Sequence, residues 1–72
     1  MNIPKEKQRL FSSYLIVVER ANVRKEYHEQ QLEFIKDKPD KDHVIYKRDK
    51  LKRLIQLLDD KIKFYEDLMT RL

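Results

Sequence analysis

Hydrophobic positions in the C-terminal half of the chain recur in alternating steps of four and three. Val44, Arg48, Leu51, Ile55, Leu58, Ile62, Tyr65, Met69 and Leu72 form the series, and Arg48 is its one polar member. Side chains spaced this way share one stripe of an α-helix, and a stripe sustained this long is a heptad seam that asks for a neighbouring helix. Leu54, Leu57, Phe64 and Leu68 widen the stripe beyond a two-helix contact.

The N-terminal half carries two stripes. One runs through Leu10, Tyr14, Val17, Ala21, Leu32 and Ile35, with His28 on the same line and Phe11 and Val18 extending it on one side. The other runs through Ile16, Val23, Tyr27 and Phe34. At 100° per residue the two lie roughly 130° apart, too far to face a single neighbour. The stretch Asp37 to Asp42, DKPDKD, separates the halves, with Pro39 as its helix breaker. A proline pushes the residue before it out of the helical region, so Lys38 is expected to end the first helix. Pro4 suits a helical first turn. Asp40 or Asp42 is expected to cap the second helix. The pattern predicts a helix over about 4–37, a turn over about 38–41 and a helix over about 42–71, within a single domain 1–72. Whether the first helix is continuous through Ser12-Ser13 and Arg24-Lys25 is left open.

The expected fold is therefore all-α: two long antiparallel helices forming a helical hairpin. A hairpin covers one face of each helix and leaves the surplus apolar stripes without cover. Pairing of two hairpins into a homodimeric four-helix bundle is the economical remedy. The expected self-association seam comprises Leu51, Ile55, Leu58, Ile62, Tyr65 and Met69, with Ile16, Val23, Tyr27 and Phe34.

Composition supports the helical reading. The 72 residues include no glycine, no cysteine and two prolines, which leaves few places for tight turns and excludes disulfides. Charged residues are 42% and hydrophobic ones 40%, a balance unlike that of disordered chains. A chain this small usually needs oligomerisation when disulfides and metals are absent. The longest apolar run, Tyr14 to Val18, is too short to span a membrane or serve as a signal peptide, so a cytoplasmic protein is expected, without membrane partners.

Chemistry is sparse. Glu26, Glu29 and Glu33 share a helix face that could bind Mg²⁺ between packed helices, but ordinary pairing with nearby Lys and Arg is the favoured reading. His28 lacks a glutamate three residues earlier, where Lys25 stands, so the di-iron bundle pattern fails. Glu26-x-x-Glu29 matches only the first half of the paired motif of helical nucleotide pyrophosphatases. His43, three residues after Asp40, is read as a helix-end group rather than a ligand. Ser12 and Ser13 have no histidine at a recognisable spacing. No catalytic, cofactor or metal site is expected, and the chain is read as non-enzymatic.

The strongest charge feature is KRDKLKR, in which Lys47, Arg48, Lys50, Lys52 and Arg53 surround Asp49. With a net charge of +4, it makes these five residues candidate nucleic-acid contacts. In length and layout the hairpin resembles the plasmid-encoded RNA-binding hairpins, a likeness of architecture that no particular residue carries. That resemblance implies two hairpins in an antiparallel bundle with one face gripping paired RNA loops. A short chain opening on methionine with no further domain is expected to modulate something larger. The first functional expectation is thus a small regulatory or assembly protein acting on itself and on a protein partner. A nucleic-acid-binding bundle is the alternative.

Overall fold

A computed structural model describes residues 4–72. Residues 1–3, part of the expected single domain, lie outside the described residues. The heptad series predicts two helices, and two are present: α1, Lys5–Ile35, and α2, Asp42–Thr70, packed against each other with no strand among the described residues. The hairpin measures 57 × 15 × 14 Å. α1 runs unbroken through Ser12-Ser13 and Arg24-Lys25, because neither pair disturbs the backbone ladder.

Local chemistry sets the ends. Pro4 stands just outside α1 as its N-cap, with φ −54° and ψ 144°, rather than inside the first turn. Its carbonyl accepts the Gln8 N–H at 3.0 Å, the first bond of the ladder. At the other end α1 stops at Ile35, earlier than expected, and Lys38 N–H turns back to the Ile35 carbonyl at 3.1 Å. The breaking influence of Pro39 thus reaches further back than its immediate neighbour. Neither Asp40 nor Asp42 caps α2. Lys41 is the N-cap and makes no side-chain cap bond, while its carbonyl accepts the Val44 and Ile45 N–H groups at 2.9 and 3.0 Å. Asp42 becomes the first helical residue, where its charge still favours the positive end of the helix dipole.

Asp40 is drawn away by Arg48, the polar member of the seam. The Arg48 guanidinium pairs with the Asp40 carboxylate and donates to the carbonyls of Ile35, Lys36 and Lys38 at 3.3, 3.0 and 2.7 Å. Those carbonyls lie at and just beyond the C-terminus of α1, where the helix leaves acceptors unpaired and its dipole is negative. No residue of α1 supplies a basic side chain there, so α2 supplies one. One planar fork thereby ties the turn to both helices.

The seam of α2 faces α1 within the same chain. Val44, Leu51 and Ile62 are buried, and Arg48, Ile55, Leu58, Tyr65, Met69 and Leu72 are half-buried. α1 answers with its own alternation: Tyr14, Val18, Ala21, Lys25, His28, Leu32 and Ile35, all buried or half-buried. Val18, Ala21 and Ile62 form one core cluster, against which Leu58, Tyr65 and Met69 pack. The Tyr14 and Tyr65 rings meet at 5.6 Å between centroids. Val18, rather than Val17, takes the seam position: it is buried, in step with Lys25 and Leu32 at seven-residue intervals, while Val17 is half-buried. Lys25 holds a seam position through its Nζ, which reaches Asp59 Oδ1 at 3.0 Å.

Leu51→Ala is expected to lower the unfolding free energy by about 2–5 kcal/mol. Leu57→Ala, at a side of the hairpin left 65% exposed, should stay within about 0.5 kcal/mol. Urea denaturation separates the two, and equal losses would misplace the seam. Arg48→Lys keeps the charge but loses the fork, and is expected to cost about 1–3 kcal/mol in the same assay. Asp40→Asn, altering a mostly exposed carboxylate, should cost clearly less.

Candidate docking face

Once the seam is fixed, the heptad assigns every other residue to a side. With seam positions called a and d, positions g and c lie on one side of a helix, e and b on the other, and f faces outward. Two antiparallel helices are related by a two-fold normal to the plane of the hairpin. The g and c positions of both helices therefore share one broad face, and the e and b positions share the opposite one.

The two faces differ in charge. On the first, α1 places Arg20 and Arg24, and α2 places Lys47, Lys50, Lys61 and Arg71, with Glu6 the single carboxylate at these positions. The second holds Glu19, Glu26, Glu29, Glu33, Asp42, Asp49, Asp59 and Glu66, relieved by Lys5, Lys36, Lys52 and Lys63. Both ion pairs of Asp59, to Lys25 and Lys63 at 3.0 Å each, belong to this acidic side, as does the pair of Lys36 with Glu33. On the basic face Arg20, Arg24, Lys47, Lys50 and Lys61 make no ion pair with any described residue.

The basic face is also the apolar one. Tyr27, Phe34, Leu57 and Phe64 stand on it 58%, 73%, 65% and 60% exposed, beside half-buried Val17, Leu54 and Leu68. Val23 and Tyr46 adjoin it at outward positions, each 69% exposed. Between the helices the face sinks into an open groove of about 840 Å³. Val17, Ala21, Val23, Tyr27 and Leu58 line it, Arg20, Arg24 and Lys61 flank it, and Glu19 reaches its edge. Past Tyr27 a second depression of about 250 Å³ continues along Gln31, Phe34 and Ile35 to Lys47.

The candidate self-association residues divide on this geometry. Leu51, Ile55, Leu58, Ile62, Tyr65 and Met69 lie on the seam towards α1, with Leu51 and Ile62 buried there, the others half-buried, and Leu58 also reaching the groove. Ile16, Val23, Tyr27 and Phe34 remain exposed. The cationic run divides too. Lys47 and Lys50 belong to the basic face with Arg53 at its outer edge, and Lys52 falls on the opposite side. Arg48 is withdrawn from any phosphate role, since its guanidinium is committed to Asp40 and three main-chain carbonyls. Neighbours in sequence point around the whole helix, and that scatters the run.

The linear pattern of charge does not single out Arg20, Arg24 and Lys61, which lie outside the basic run Lys47–Arg53. Their signal lay in heptad register, which becomes readable only with the α1 seam through Val18 and Lys25. His28 lies half-buried on that seam, with Nδ1 3.3 Å from Gln31 Oε1 and its ring 5.8 Å from that of Tyr27. Ser12 and Ser13 are exposed on α1 beside Lys5, Gln8 and Arg9. No group of three or more His, Cys, Asp or Glu among the described residues is placed to hold a metal ion. No described helix is long and apolar enough to cross a membrane.

Hydrogen bonds from Lys63 and then Lys25 hold the Asp59 carboxyl below its ordinary 3.8, and Asp59 in turn raises Lys63. A depressed carboxyl stabilises the fold fully above its unfolded pKa and loses that contribution as pH falls through the folded value. The melting temperature is thus expected to drop on acidification below about pH 4, and Asp59→Asn should remove part of that drop. Melting curves of both proteins across acid pH check this, and parallel profiles would show the pairs to be idle. No protein-family model, curated protein or solved structure matches the chain.

Proposed function

We propose that this chain is a non-enzymatic docking hairpin, a small regulatory or assembly protein that binds another protein through its basic, apolar face in a cytoplasmic setting. The observation that carries the reading is the set of large side chains left in water on that one side: Tyr27, Phe34, Leu57 and Phe64. Isolated apolar residues on a surface mean little, whereas a contiguous apolar stretch rimmed by polar groups marks an interaction surface. The same face would have to join two hairpins in a four-helix bundle, so self-association and capture of another protein compete for it.

A photoreactive phenylalanine analogue placed at Phe34 or Tyr27 in cells is expected to give discrete protein adducts, and the same group at Glu29 none. Adducts absent from both positions, or equal at both, would remove the docking reading. Phosphate binding is the second reading, favoured by the unpaired cations Arg20, Arg24, Lys47, Lys50 and Lys61 on one side. Affinity for duplex nucleic acid should then fall with salt at a log–log slope of about −0.9 per neutralised phosphate. Undetectable binding at low salt disposes of it.

A further inference from the structure

We infer that the groove takes one amphipathic helix of a different protein, about five turns long and acidic on both edges of its apolar stripe. This rests on the docking reading above and names the occupant. Three features of the face converge on it.

The first is length. The two depressions share Tyr27 and run along α1 from Val17 to Ile35. At 1.5 Å per residue that is about 27 Å, or five helical turns. The second is shape. An apolar floor between two helical ridges receives a third helix by its i, i+3, i+4 and i+7 side chains. A bilayer is flat and cannot enter such a trough. The third is charge. Arg20 and Arg24 flank the floor on α1, and Lys47 and Lys61 flank it on α2. None of the four has an ion-pair partner within the described hairpin. Carboxylates on both edges of an incoming helix would meet them.

Charge also decides against the other occupants. A second copy laid face to face would bring these cations against their own images, and like charges oppose a closing interface. A copy laid front to back would find carboxylates, but that contact is heterologous and does not close on a dimer. A phosphate backbone would satisfy the cations yet leave the apolar floor in water.

The test uses the full chain with two synthetic peptides of about 18 residues sharing one leucine stripe. One carries glutamates along both edges of the stripe and the other lysines. By fluorescence anisotropy the glutamate peptide is expected to bind, to weaken with added salt, and to exceed the lysine peptide by about tenfold or more. The double change Arg24→Glu with Lys61→Glu should reverse that preference while leaving the melting temperature near its starting value. Tyr27→Ser should weaken both peptides alike. Equal binding of the two peptides, or binding of neither, would overturn the proposal. So would tighter binding of anionic vesicles or duplex RNA, or a doubled sedimentation mass that Phe34→Ser returns to a single chain. In-cell adducts at Phe34 alongside a failed peptide preference would leave the docking reading standing and discard only the acidic helix.

Discussion

Everything else in this molecule depends on the packing of the α2 heptad seam against α1. Only six hydrophobic residues of the described chain are buried, and five of them, Val18, Ile35, Val44, Leu51 and Ile62, are seam side chains of ordinary core size. Fully burying a side chain of that kind contributes about 1.5–3 kcal/mol. Two helices offer each other only one line of contact. No disulfide reinforces that line, and the Arg48 clamp and the Lys25–Asp59 pair are polar ties across it. Once the seam is set, the register of every remaining residue follows from helix geometry, including which side of the hairpin it occupies.

The Arg48 clamp shows how a polar residue can belong to an apolar seam. Its place in the series is the second seam position after the turn, one step beyond Val44. There the facing element is the end of α1, with carbonyls in need of donors. A leucine at this point would leave the Lys36 and Lys38 carbonyls and the Asp40 carboxylate without the guanidinium, while the Ile35 carbonyl would keep the Lys38 N–H. Arginine instead satisfies three carbonyls and a carboxylate with one planar group, at the negative end of a helix dipole. Lys25 makes the corresponding adjustment in α1 by reaching sideways to Asp59. Both departures from apolarity are thus answered across the helix pair.

Charge segregation is the less obvious consequence of the same seam. The near balance of acids and bases along the sequence reads as a uniformly solvated surface. Sorted by heptad position it becomes one acidic face laced with ion pairs and one basic face on which Arg71 alone is paired, with Asp67. The unpaired cations sit among exposed aromatic and leucine side chains, where a lone hairpin draws no stabilisation from either. Apolar surface in water and cations without partners are both tolerated in a free chain and both rewarded on binding. The proposed docking rests on that combination and not on the run Lys47–Arg53, whose members the helix distributes around its circumference.

The sequence by itself determined the fold class, the place of the turn and the seam of α2. Each is written in local terms: hydrophobic period, the absence of glycine, and the reach of Pro39. It also marked Ile16, Val23, Tyr27 and Phe34 as a stripe that a single neighbour does not cover. What only the tertiary structure decided is which stripes meet. Tyr14, Val18, Ala21, Lys25, His28, Leu32 and Ile35 contain two charged or polar breaks, so apolar periodicity could not select them over the rival line through Val17. Pairing with α2 selected them, because burial rewards whatever line packs best and Lys25 and His28 could keep their polar ends bonded. That choice turned Leu51, Ile55, Leu58, Ile62, Tyr65 and Met69 towards α1. It also brought Lys61, far away in sequence, to the same groove as Arg20 and Arg24. A face shared by two helices exists only once their mutual rotation is fixed, and that rotation is set by contact, not by either helix alone.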